Sequence, residues 1–237
     1  DEAAATATYG DINTWDVSQI TDFSGLFQNH GAVIFDPEQG AFNSNISNWD
    51  VSAGTNFAGM FFMATSFNQD IGSWNVGSGA SFVGMFSGAR AFNQDIGSWN
   101  VSSGTDFTYM LAGAEAFNQD IGNWNVSSGN NFSWMFADAD LFNQDIGSWN
   151  VSSGTDFSWM FAGADAFEQN IGNWQVSDSA LLTNMFFDTD LMLSKLGFSS
   201  NPTAAEFNKT PITDRNSLDA AITAWIADEA AATATYG

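Results

Sequence analysis

The sequence predicts an α+β repeat solenoid: a stack of 25-residue coils, each holding a short strand, a tight turn and a short helix. Three observations predict it. Trp49, Trp74, Trp99, Trp124, Trp149 and Trp174 follow one another at intervals of 25 residues. Phe42, Phe67, Phe92, Phe117, Phe142 and Phe167 run seven residues ahead of them. Inside each unit the apolar spacing changes from two to three-and-four. A fixed period of this length is the mark of stacked units that cannot bury their apolar faces alone.

One unit, from Phe92 to Ala116, reads FNQDIGSWNVSSGTDFTYMLAGAEA. Ile96 leads into a segment where Trp99 and Val101 alternate with Asn100 and Ser102, the period of a strand. Ser103-Gly104 breaks it. Thr105 or Asp106 is placed to cap a helical turn, since either oxygen accepts from a free backbone N–H. Phe107, Met110 and Leu111 then fall on one helical face, and Ala112-Gly113-Ala114 turns the chain back. Stacking would set equivalent side chains about 4.8 Å apart in ladders.

An earlier coil fits the same template through Trp15, Val17, Phe23, Leu26 and Phe27. The longer interval from Trp15 to Trp49 implies an inserted surface loop near 28–39. The pattern continues past Trp174 through Val176, Met185 and Phe186 and then decays. The chain thus divides into a solenoid over 1–195, an exit segment over 196–216 and a helix with a junction over 217–237.

Bulk properties exclude whole classes of function. The 237 residues carry 27 acidic against 4 basic side chains, a formal net charge of -23. Such a surface repels nucleic acid and anionic membrane, and no apolar run approaches the ~18 residues of a membrane span. There is no cysteine, hence no disulfide framework and no thiolate metal site. His30 is the single histidine, set in the inserted loop, and no Cys–His or Ser–His–Asp spacing accompanies it. The carboxylates recur in every repeat, as catalysts do not. The expectation is a protein that is not an enzyme.

Residues 1–10 and 228–237 are the same decapeptide, DEAAATATYG. The 237-residue chain less one 10-residue copy gives a period of 227, so the identity predicts a tandem array. Ser217 can cap a helix with Leu218, Ala221, Ile222, Trp225 and Ile226 on one face. A solenoid needs its ends covered. The first coil, with Ile12, Trp15, Val17, Ile20 and Phe23, has no such helix upstream. The reading is an inter-module joint, in which Leu218, Ile222, Trp225 and Ile226 of one copy cover Ile12, Trp15 and Val17 of the next. The partners are therefore copies of the chain itself, joined covalently in tandem or end to end.

Several columns recur along the stack. Asp70, Asp95, Asp120 and Asp145 share one slot. Either each caps its own turn as an Asx residue, or calcium bridges neighbours; no other cofactor is implied. Asn75, Asn100, Asn125 and Asn150 share a second slot, read as a self-satisfying amide ladder or as a binding face for glycans or a partner. Tyr109, Trp134 and Trp159 share a third, packing between neighbouring helices or forming a stripe for lateral contact or sugar stacking. Asn45, Asn100, Asn125, Asn131, Asn150 and Asn208 head N-x-[ST] sequons and are candidate N-glycosylation sites.

The FNQDIGSWNVS unit, followed by a [TS]-[DN]-F-x-x-M-[FL] stretch, resembles the BspA-type leucine-rich-repeat surface proteins. The resemblance covers roughly residues 11–195. It implies a right-handed leucine-rich-repeat-like solenoid on exported or cell-surface proteins, often linked to adhesion, with no catalytic residues to carry over. Units of that family tend to have an apolar residue where this chain has Gly104, Gly129 and Gly154, which predicts a loosely packed strand end. The function expected is a structural module of an extracellular fibre or tandem surface protein. The alternative is an adhesin-type module that binds carbohydrate or protein through a solenoid face.

Overall fold

The computed structural model describes residues 2–28, 42–189 and 199–207. The chain opens with helix α1, Glu2–Tyr9, whose four alanines have the highest helix propensity. Gly10 ends it at φ 80°, its N–H donating to the Thr6 carbonyl at 2.9 Å, a left-handed stop of the kind glycine allows. Asp11 then accepts the Asn13 N–H on its side chain and starts a single 3-10 turn, Ile12–Thr14.

From there to residue 189 the described chain winds as coils with no named strand or helix. Isolated parallel bridges join Asp22, Asn56, Ser81, Asp106, Asn131, Asp156 and Leu181 in succession. Each step is 25 residues except the first, which spans the insert. Residues 29–41 of that insert lie outside the described residues, His30 among them.

The expected short helix over Phe107–Leu111 is replaced by a chain of turns. The N–H groups of Phe107, Tyr109, Leu111 and Gly113 donate to the carbonyls of Asn131, Ser133, Met135 and Ala137 in the next coil, at 2.7–3.0 Å. The N–H groups between them, from Met110, Ala112 and Ala114, turn back on Phe107, Tyr109 and Leu111 of the same coil. Tyr109 and Gly113 meet this alternation with φ 56° and 65°, as the third residue of a type II turn requires. The physical reason is bond supply. An α-helix keeps its N–H groups within one coil, and then nothing on this side would tie one coil to the next. The apolar triplet Phe107, Met110 and Leu111 still points inward, fully buried.

The expected strand over Trp99–Val101 has the alternation without the ladder. Trp99 and Val101 are buried and Asn100 is exposed. However, the Trp99 N–H closes a turn on Ile96 and the Gly104 N–H closes one on Val101. These bends take the amides out of line with their neighbours. Side chains join the coils here instead: the Trp99 indole Nε1–H donates to the Ile71 carbonyl at 3.1 Å, Ser98 Oγ to Gly72 at 3.0 Å and Ser103 Oγ to Gly77 at 2.8 Å.

The core is a set of aromatic columns. Phe23, Phe57, Phe82, Phe107, Phe132 and Phe157 stack at centroid distances of 5.4–5.7 Å. Phe42 through Phe167 stack beside them at 5.8–6.1 Å. These spacings exceed the expected 4.8 Å, as offset stacking of parallel rings prefers. Gly104 is not a packing fault. A Cβ there would meet Phe107 Cζ at 2.6 Å and the Val101 carbonyl oxygen at 3.0 Å. The Phe107 ring already fills the place where an apolar side chain was expected.

The last coil is closed by residues 199–207, part of the expected exit segment. The Asn184 N–H donates to Asn201 Oδ1 at 2.6 Å and the Phe186 N–H to the Ser200 carbonyl at 3.3 Å. A short helix, α2, Ala204–Phe207, is fixed by Thr203 and Glu206: the Thr203 N–H donates to Glu206 Oε1 at 3.0 Å, half of a capping box. Buried Phe207 stacks on Trp174 at 6.5 Å. The helix with its junction expected over 217–237, with Leu218, Ile222, Trp225 and Ile226, lies outside the described residues.

Candidate functional site

The two ends of the stack differ. Trp49 through Trp174 are only 1–4% exposed, while Trp15 in the first coil is 38% exposed. Each later indole donates to an isoleucine carbonyl in the coil before it: Trp49 to Ile12 at 2.8 Å, Trp74 to Ile46 at 3.2 Å, Trp124 to Ile96 at 3.0 Å. Trp15 has no earlier coil. Its Nε1–H donates to the Tyr9 carbonyl, the last residue of α1, at 3.1 Å, and the two rings meet edge to face at 6.3 Å. An upstream helix, α1, therefore meets the first coil through Tyr9, although it is not the amphipathic kind expected to cover that coil. Ile12 and Val17 are half-buried against the core.

Cover by α1 is partial. Tyr9, Trp15 and Asp16 line an open cavity of about 440 Å³, and Tyr9 is 70% exposed. In the second coil the carbonyls of Asn56, Ala58 and Met60 accept from Phe23, Gly25 and Phe27. Their counterparts in the first coil are Asp22, Ser24 and Leu26, whose carbonyls accept no N–H among the described residues. Side chains at this end are hydrogen-bonded all the same. Ser18 donates hydroxyl and N–H to Asp16, which holds that carboxyl below its usual pKa. Ser24 does the same for Asp22 and Ser52 for Asp50.

The repeat register shows most plainly in an amide clamp that the sequence reading did not identify. Asn68 Oδ1 accepts the N–H of Asn93 at 2.9 Å and the Gln94 side-chain amide at 2.9 Å. Gln94 Nε2 also reaches the Asn68 carbonyl at 2.9 Å. Asn93 treats Asn118 and Gln119 the same way, and Asn118 treats Asn143 and Gln144 likewise. The signal was the Asn-Gln pair that follows Phe67, Phe92, Phe117 and Phe142.

A repeat of this kind should match a family model more than once. The chain matches one described as "Mycoplasma protein of unknown function, DUF285", over residues 2–119 and again over 96–197. The chain belongs to the DUF285 family. The two matches run in tandem and overlap by about one coil. No curated protein and no solved structure matches the chain.

In this DUF285 chain the sequence-predicted columns take definite roles. Asp70, Asp95, Asp120 and Asp145 each accept, on Oδ1, the N–H of the glycine two residues on, at 2.9 Å. All four are exposed. Among the described residues no group of three or more His, Cys, Asp or Glu is placed to hold a metal ion. Asn75, Asn100, Asn125 and Asn150 are exposed and cap their own turns, accepting from Gly77, Ser102, Ser127 and Ser152 at 3.1–3.2 Å. They do not form the amide ladder expected of them; that ladder is the Asn68–Asn143 column.

Of the sequons, Asn45, Asn100, Asn125 and Asn150 stand exposed in the DUF285 chain. Asn131 is half-buried and bridged on both sides, to Asp106 and Asp156. Asn208 lies outside the described residues. Tyr109, Trp134 and Trp159 stack on one another at 5.4 and 4.7 Å, and Phe187 closes the stack at 5.2 Å. No helix among the described residues is long and apolar enough to cross a membrane.

Proposed function

We propose that this chain is one link of a tandem array, a BspA-type leucine-rich-repeat-like solenoid module, right-handed, that serves as a structural element of an extracellular or cell-surface fibre. The observation that carries the reading is the contact between Trp15 and Tyr9. Every other tryptophan of the series spends its indole N–H on the preceding coil; Trp15 spends it on the decapeptide that also ends the chain. A tail with the same sequence, residues 228–237, is able to offer the next copy the same tyrosine carbonyl. The carbonyls of Asp22, Ser24 and Leu26, which accept no N–H among the described residues, and the closure of the other end by Phe207 give the stack a direction. Head-to-tail contacts build a ring where their rotation closes and a filament where it does not; the reading here is a filament. In this reading the module works through stiffness and length, with no catalytic step.

Hydrogen exchange tests it. A chain lacking residues 1–10 is compared with the same chain preceded by one full 237-residue copy. The expected result is slow exchange across residues 12–28 in the fused protein and fast exchange in the truncated one. Equal exchange in both would remove the joint.

A further inference from the structure

The aromatic stripe sits where the backbone least suits it. Two slots in a coil, four residues apart, take left-handed φ and send their N–H groups to the next coil; the first of them carries the stripe. Gly25, Gly59 and Gly84 hold that position at φ 61°, 60° and 56°, which glycine adopts freely. Tyr109, Trp134 and Trp159 hold it at 56°, 60° and 60°, where bulky residues are rare. Three consecutive coils thus place a large ring where the fold asks for glycine.

Part of the return is internal. The rings stack, and Trp134 and Trp159 pack on a column of Ala112, Ala137 and Ala162. Much is left over: Tyr109 stays 39% exposed and Phe187 49%. Tyr109, Trp134 and Trp159 stack in one file, with Tyr109 paired to a ring on the Trp134 side.

Charge decides the occupant. The residue after Ala137 is Asp138, and Asp140 follows two positions later, in one column with Glu115 and Asp165. Arg90 answers Glu115 at 3.3 Å; among the described residues no other salt bridge forms. Burial, and then the charges of Glu115, Asp165 and Asp138, push the Asp140 carboxyl above its usual pKa. A second copy is a poor partner, because a chain with net charge -23 would bring carboxylates against carboxylates.

We propose that the face formed by Tyr109, Trp134 and Trp159 with Asp138, Asp140 and Asp165 is a docking surface for a basic, amphipathic segment of another protein. Its apolar side chains lie along the stacked rings, and its Lys or Arg side chains meet the carboxylates. This surface is separate from the first coil, so it stands or falls independently of the tandem joint.

The test is binding of a fluorescent amphipathic Leu-Lys peptide to the full chain, read by anisotropy. Trp134→Gly with Trp159→Gly keeps the net charge and puts in the residue used at Gly59 and Gly84. It should weaken binding by about tenfold, the loss typical of removing central aromatic anchors. A second variant, D138N with D140N and D165N, leaves the stack intact. It should weaken binding more than D70N with D95N and D120N, which removes the same charge from another column. The proposal is overturned if the glycine variant, folded, binds like the parent, or if the two charge variants lose affinity equally. It is also overturned if a neutral hexasaccharide binds the stripe and the peptide does not.

Discussion

Trp99 illustrates how one side chain serves two layers of the fold. Its ring fills the core, and its Nε1–H donates to the Ile71 carbonyl of the previous coil, which also accepts the Trp74 N–H. Trp99→Phe keeps most of the apolar surface and removes this bond between coils. A net hydrogen bond contributes about 0.5–1.5 kcal/mol, so the urea midpoint should fall with an unchanged slope. Asp140 makes the opposite kind of prediction. Its carboxyl is raised by burial and by Glu115, Asp165 and Asp138, so the folded chain holds that proton more tightly than the unfolded chain. Stability from this group is therefore lost as pH rises through its folded pKa, and fully present below the unfolded value of about 3.9. Asp140→Asn should raise the melting temperature at pH 7, and the gain should vanish in acid. Asp16, Asp22 and Asp50 run the other way: their lowered values mean stability present at neutral pH and lost on acidification.

At the scale of the element, the 25-residue unit was legible where side chains are large and invariant in place. The tryptophan and phenylalanine columns, and the inward set of Ile96, Val101, Phe107 and Met110, follow from spacing alone. Backbone bonding was not legible. A triplet at i, i+3, i+4 fits a helix and also fits the overlapping turns that form at Phe107–Ala114, and only the neighbouring coil decides between them. Positive φ at Tyr109, Trp134 and Trp159 was hidden because the residues there are not glycine. The glycines in the same slot of earlier coils, Gly59 and Gly84, were the clue. The clamp gives this scale its prediction. Asn93 Oδ1 accepts from Asn118 and Gln119, half-buried, whereas Asn100 accepts one N–H in an exposed turn. Asn93→Ala should therefore destabilise the chain by about 1–3 kcal/mol and Asn100→Ala by well under half of that. Comparable losses in denaturant melts would contradict the clamp.

The described residues form a stack with one closed end and one end half-covered. The closed end is built from its own chain, by Phe207 on Trp174. The other relies on an eight-residue helix whose sequence recurs at the far terminus. The open carbonyl edge and the exposed Trp15 were not readable from the sequence, which offered the decapeptide identity but not what the decapeptide touches. The account's central claim is that this contact joins one period to the next. Electron microscopy of a chain carrying several 227-residue periods measures it directly. The account predicts a straight, stiff rod with an axial repeat of about 40–60 Å per period, from seven or eight coils near 4.8 Å plus a joint. Separate globules linked by flexible connections of varying angle would contradict it.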